Sequence, residues 1–359
     1  MVLKSLTLQN FRNYSQKEFS FSPGITLVVG PNACGKTNFL EAIYLLASGK
    51  SFRAEIEAEM IEYGKQMSNV KCQMSNENVL EIILTRGEIN GKKVAKKIYK
   101  INGVNKRMMD FVGNLRCVYF GPEDLEIVVG SPLQRRDYLD SVLEQVDREY
   151  RRASLSYKKG LRQRNKLLEQ IRDEGKPRTT LYFWDKLLVG NGEVITKKRE
   201  EFIEFVNSQP DYFEKLHLVY HKSIISPQRL QQYAEEEVAA GMTLVGPHRD
   251  EVKFQILNSK SQIKRDLSVF GSRGEQRTAV FCLKLAELEF ITSKTGQRPI
   301  LLLDDIFSEL DYERRERLLE VIPRQQTIIT TTDIHLVAPE ARKKMEIIKL
   351  EIERYRNLG

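Results

Sequence analysis

The sequence predicts an α/β protein: a head with a mixed sheet and an antiparallel β lobe, interrupted by a helical-hairpin lobe. Three observations carry this. An apolar run, "ITLVVG", leads into "GPNACGKT" and then a helical pattern, "TNFLEAIYLLAS". Far downstream a second apolar run, "PILLLDD", ends in paired carboxylates, Asp304 and Asp305. Between them lies a long stretch of helical period with few breakers. The expected division is 1–128 with 218–359 for the head and 129–217 for the arm.

The elements follow in order. "LKSLTLQNF", "KEFSFS" and "ITLVVG" read as strands by alternation or by continuous apolar character. "NVLEIILTR" and "KKIYKI", separated by Asn90-Gly91, read as antiparallel strands, with a second Asn-Gly at Asn102-Gly103. At "GSPLQRRDYLD" the pattern changes. Ser131 is a good N-cap and Pro132 a good first helical residue. Apolar positions then recur mostly in steps of three or four from Leu139 through Val146, Tyr150, Tyr157 and Leu168 to Ile171, which predicts one long amphipathic helix ending near "DEGKPR". A second helix is expected from about Thr180 to Gln209, stopping at Pro210 and closing an antiparallel hairpin. "HLVYH" and "EVKFQIL" return to strand alternation; His217 and His221 have too few companions for a metal site.

"GPNACGKT" fits G-x-x-x-x-G-K-[ST], with a strand before it and a helix after it. Such a loop wraps phosphate oxygens in backbone N–H groups, here over Gly30, Pro31, Asn32, Ala33, Cys34 and Gly35. Lys36 would reach the β- and γ-phosphates of ATP, and Thr37 would offer its hydroxyl to Mg²⁺, with Asn38 following. Asp304 would hold Mg²⁺ through water. Asp305 would orient or deprotonate the attacking water.

A second anion-suited motif, "FGSRGEQRT", offers Ser272, Gly274, Glu275 and Gln276 at the start of an apolar helix. The order is phosphate loop, long insertion, Ser-x-Gly-Glu-Gln, then a strand with two carboxylates. This resembles the nucleotide-binding heads of the ABC ATPase superfamily. The fold class becomes an α/β ABC-type P-loop ATPase head with an inserted helical-hairpin lobe. The resemblance implies that Ser272 to Gln276 face ATP bound to a second copy, so that two heads stack head to tail.

Composition agrees with a soluble chain: 41% hydrophobic and 30% charged residues. A net charge of +8 favours a polyanion without fixing one. No signal-peptide core and no membrane-length apolar run is present, and Cys34, Cys72, Cys117 and Cys282 are scattered. A reducing cytoplasm is expected. The absence of a typical "LSGGQ" and the helical arm disfavour a transporter subunit; a scaffold that binds ATP with little turnover stays open.

Four stretches, "NFRNY", "PEDLEIVVGSPLQRRDYLD", "GPHRDE" and "LLDDIFSELDYERRERLL", are similar to the RecF family along essentially the whole chain. The resemblance implies ATP-dependent dimerisation, duplex DNA binding near single-strand gaps, slow DNA-stimulated ATP hydrolysis, and partnership with RecR and RecO in loading RecA. It adds Arg12 to the nucleotide contacts and points to Arg53, with Lys50 beside it, as DNA contacts. Ala33 and Asp305 depart from the wider superfamily, which has glycine and glutamate there. The γ-phosphate switch falls on Thr332, Asp333 or His335. Basic residues at 92–107 and Arg148, Arg151, Arg152, Lys158, Lys159, Arg162 and Arg164 on the arm are either phosphate contacts or solvated faces.

Overall fold

A computed structural model of the chain describes residues 2–89, 91–210, 215–257, 265–337 and 339–352. Asn90, half of the first expected Asn-Gly turn, lies outside them. Compactness divides the chain into Met1–Glu123 with Ile291–Gly359, and Asp124–Phe290.

The first unit is built on two sheets. Strands Leu3–Phe11, Tyr14–Ser20, Met67–Met74, Val79–Thr85, Lys97–Ile101 and Val104–Lys106 form an antiparallel sheet. One face is buried in period two at Val70, Cys72 and Met74 and at Leu80, Ile82 and Leu84, while the first strand buries Leu3, Leu6, Leu8 and Phe11 with a register shift between Leu3 and Ser5. The second sheet is wholly parallel, in the order Cys117–Phe120, Ile300–Asp304, Thr327–Thr331, Ile25–Val29, Met345–Lys349. Ile300–Asp304 and Thr327–Thr331 are buried at every residue, as strands covered on both faces are.

Helix Lys36–Ser48 touches strands of both sheets. Phe39, Leu40, Ala42, Ile43, Leu45, Leu46 and Ala47 are all buried, so it is apolar nearly all round, as a core helix is. Gln326 ties the sheets together. Its side chain accepts from Leu3 N at 2.7 Å and donates to Leu3 O at 2.8 Å and Ser22 O at 2.9 Å.

The second unit carries the arm. The expected single helix is two, Pro132–Val146 and Arg148–Glu174. Asp147 breaks it with an extended backbone (φ −124°, ψ 112°), and its carboxylate caps the next helix, accepting from Tyr150 N at 3.0 Å. The longer piece spans about 40 Å at a 1.5 Å rise per residue. It packs on helix Tyr182–Asn207, which closes the hairpin. Strands Lys215–His221 and Glu251–Leu257 pair antiparallel. All four cysteines are buried and none is in a disulfide. Among the described residues no helix is long and apolar enough to cross a membrane.

Candidate functional site

The loop after strand Ile25–Val29 turns through two left-handed residues, Ala33 (φ 65°) and Gly35 (φ 104°). At Gly35 a Cβ would fall 2.7 Å from the Asn13 amide and 2.8 Å from Tyr14 Oη, so conformation and space both require glycine. Lys36 opens the helix and folds back over the loop. Its ammonium donates to Gly30 O at 2.7 Å and Pro31 O at 2.9 Å. The hairpin turn behind the loop braces it. Asn13 Nδ2 donates to Cys34 O at 3.2 Å and Tyr14 Oη to Gly35 O at 3.1 Å. Neither residue was singled out from the sequence; their place in "NFRNY" is the only signal. A cleft of about 1230 Å³ opens beside this bracing hairpin, lined by Arg12, Asn13, Asn38, Ile56, Ile61 and Tyr63 among others but by none of Gly30 to Thr37.

Asp304 ends a strand separated from the loop's strand by only Thr327–Thr331, all three parallel, so loop and carboxylate emerge at one sheet edge. Asp304 is 4% exposed. Thr330 Oγ1 donates to its Oδ1 at 2.6 Å, and Tyr119 Oη lies 3.3 Å from its Oδ2. The same tyrosine hydroxyl donates to Glu123 Oε2 at 2.9 Å. Thr37 sits in the first turn of the loop helix. Thr37 and Asp304 are hard oxygen donors of the kind Mg²⁺ takes. Asp305 follows in the left-handed region (φ 50°, ψ 25°), its N–H donating to Thr330 O at 3.1 Å. For a non-glycine residue that conformation costs on the order of 1 kcal/mol. Thr332, Asp333 and His335 are exposed, and Asp333 caps its own turn by accepting from His335 N at 2.8 Å.

Arg12 and Arg53, read separately from the sequence, meet at one carboxylate that the sequence reading passed over. Glu41, on the loop helix, is fully buried. Arg12, itself left-handed (φ 54°), binds it through two nitrogens at 2.7 and 2.9 Å. Arg53 Nη2 donates at 2.9 Å, Ser51 Oγ also donates, and Arg53 further contacts Asn38 Oδ1. Burial pushes the Glu41 carboxyl up, but the hydrogen bonds from Arg12, Arg53 and Ser51 outweigh it and hold it below the ordinary value. Lys50 beside them is exposed.

In the second unit, Ser272 and Glu275 cap helix Arg273–Thr295 reciprocally. Glu275 N donates to Ser272 Oγ at 3.3 Å, and Ser272 N to Glu275 Oε2 at 2.7 Å. Hydrogen bonds from Ser272 lower the Glu275 carboxyl. Ser272 and Gly274 are exposed, behind the exposed Val269 and Phe270. Gln276 is turned inward and donates to Leu267 O at 2.9 Å.

"PLQRRDYLD" and "GPHRDE" meet in a buried ionic network. Arg199 donates to Asp140 Oδ1 and to Asp250 Oδ2, each at 2.9 Å, and to Pro247 O at 2.7 Å. Burial raises and Arg199 and Lys158 lower the Asp140 carboxyl, with a net fall. Arg135 binds Glu251 at 2.7 Å. Three of the arm's basic residues serve the interior: Arg151 donates to Glu144 O, Lys158 to Asp140 at 2.6 Å, and Arg164 to Asp185 and Glu237 at 2.7 Å. Arg152, Lys159 and Arg162 are exposed, as are Lys92, Lys93, Lys96, Lys106 and Arg107 in the first unit. Among the described residues no three His, Cys, Asp or Glu side chains cluster for a metal.

The chain resembles known proteins along nearly its whole length. The family described as RecF/RecN/SMC N terminal domain matches residues 2–352. The DNA replication and repair protein RecF of Herpetosiphon aurantiacus is 38% identical, over 94% of this chain and 95% of its own length. That of Lachnoclostridium phytofermentans is 37% identical over 93% of each. A solved structure of the recombination mediator protein RecF with ATP, of the RecFOR pathway, superposes with a TM-score of 0.84 at 34% identity, covering 94% of this chain and 93% of that one. An Smc head domain from Pyrococcus yayanosii shares the fold at a TM-score of 0.52 and 14% identity, over 97% of this chain and 94% of its own. Matched along nearly its whole length at this level of identity, the chain belongs to the RecF branch of the RecF/RecN/SMC N-terminal domain family.

Proposed function

We propose that this chain is an ATP-dependent DNA-binding protein of recombinational repair. One observation carries the reading: the Lys36 loop and Asp304 stand at the same edge of one parallel sheet. Residues Gly30 to Asn38 cradle the phosphates of ATP, and Arg12 borders the nucleotide. Thr37 and Asp304 would hold Mg²⁺, which neutralises phosphate charge when bound. Asp305 orients or deprotonates the water.

Sorted by role, 1–128 and 218–359 act as the head and 129–217 as the arm. Ser272, Gly274 and Glu275 complete the site of a second copy, with Gln276 held inward behind them, so ATP drives a head-to-tail dimer on duplex DNA near single-strand gaps. Arg53 and Lys50 meet the DNA backbone. Hydrolysis is slow and DNA-stimulated, and the protein works with RecR and RecO to load RecA in the cytoplasm. Support comes from family membership and from exposed Ser272 and Gly274 at a helix start.

The test is direct ATP binding with sedimentation. Wild type binds ATP and dimerises with it; Lys36→Met does neither. Equal behaviour of the two proteins would refute the assignment.

A further inference from the structure

The segment after the loop helix holds three consecutive side chains that reach three parts of the site. Ser51 Oγ and Arg53 donate to the buried Glu41. Arg53 also touches Asn38, whose amide donates to Asn13 Oδ1 at 2.6 Å, and Asn13 braces the loop at Cys34 O. Between them Phe52 lies flat on Tyr119, ring centroids 4.0 Å apart and planes 17° apart. Tyr119 is 4% exposed, and its hydroxyl sits between Glu123 and Asp304. That hydroxyl has one proton for two carboxylates.

We propose that Ser51–Phe52–Arg53 is a relay that reports a polyanion at Arg53 to Asp304 through the Phe52–Tyr119 stack. It rests on the functional reading above and names its regulation. Arg53 is 31% exposed at its side chain, so a DNA phosphate can compete for its guanidinium with Glu41 and Asn38. Drawing Arg53 outward shifts Phe52, the next residue, and Tyr119 follows through the stack. The hydroxyl then redistributes between Glu123 and Asp304. Phe52 and Tyr119 are positioning residues in this scheme. Two discrete hydroxyl partners supply the two states that coupling requires.

The experiment compares basal and gapped-duplex-stimulated ATP turnover, with DNA binding measured in parallel. Phe52→Leu removes the flat ring and is expected to keep basal turnover and DNA affinity while losing stimulation by at least about threefold. Phe52→Tyr keeps the ring and restores it. Tyr119→Phe keeps the stack but not the hydroxyl, and loses stimulation as well. Full stimulation in Phe52→Leu, beside a stimulated wild type, overturns the relay alone. Loss of basal turnover or DNA affinity in Phe52→Leu makes the residue merely structural and also overturns it. A wild type that binds ATP but is not stimulated by DNA overturns the DNA part of the functional reading, and the relay with it.

Discussion

Lys36 closes its own loop, and this defines what its loss does. The ammonium donates to Gly30 O and Pro31 O, so Lys36→Met removes the loop's staple together with the charge proposed to meet phosphate. ATP affinity should fall by at least about tenfold, since hydrogen bonds to charged groups are worth roughly 1.5–3 kcal/mol. Glu41 sets a second expectation. Its folded-state carboxyl lies below the ordinary 4.5, so its contribution is present above that pH and is lost as pH falls through the folded value. At neutral pH Glu41→Gln should lower unfolding free energy by about 2 kcal/mol, because the two guanidiniums it pairs are partly solvated. Denaturant titrations should show the gap between wild type and variant closing as pH drops below 4.5. His248 acts in the same direction for a different reason. Burial lowers its pKa to about 4; Nε2–H donates to Thr243 O at 3.1 Å and Nδ1 accepts from Tyr157 Oη at 2.9 Å. Between pH 6.5 and about 4 the unfolded chain binds a proton that the folded chain refuses, so stability falls as pH drops through that window. A His248→Gln protein should show a shallower fall over the same range. The loop, Asp304 and Asp305 were legible as residues because motif spacing is local. Glu41 was not, because nothing in "TNFLEAIYLLAS" marks one glutamate as the meeting point of two distant arginines.

Asp147 shows what a periodic pattern can hide at the scale of elements. Apolar steps of three and four run straight through it, with no glycine or proline to mark a break, yet the backbone is extended there. Its carboxylate caps helix Arg148–Glu174 and accepts a salt bridge from Lys198 at 2.9 Å. Asp147→Ala should therefore cost about 1 kcal/mol of stability, read as a lower denaturant midpoint. The Ser131 cap, by contrast, was legible because Ser-Pro opens a helix by itself; the structure adds Gln134 as its reciprocal partner. Basic residues on the arm were ambiguous for a physical reason. A lysine or arginine at helical spacing looks the same whether it faces water or a buried acid, and Arg151 and Arg164 face inward. At the sheet edge, Asp305 occupies a strained left-handed turn after its strand. Asp305→Asn keeps that geometry and removes the proposed base. It should bind ATP yet hydrolyse at least about tenfold more slowly, some 1.4 kcal/mol of barrier, in a single-turnover assay.

The whole molecule depends on pairings that no local pattern contains. Asp304 and the phosphate loop share an edge only because Thr327–Thr331 lies between their strands in parallel register. The order of motifs along the chain pointed to that arrangement through resemblance, not through any calculable pairing. Ser272 belongs to the other compact unit, and its hydroxyl caps its own helix. Ser272→Arg should cost about 1 kcal/mol of cap stability and leave ATP binding to the monomer intact. Its effect should appear in assembly. A Lys36→Met chain still presents Ser272, and a Ser272→Arg chain still presents a working loop, so a heterodimer of the two holds one complete composite site. Mixing the two variants and measuring ATP turnover, with heterodimer formation monitored by sedimentation, tests the head-to-tail reading most directly. The account predicts that the mixture regains part of the activity each variant lacks alone. No recovery in samples that do contain heterodimer, or loss of monomer ATP binding in Ser272→Arg, would contradict it.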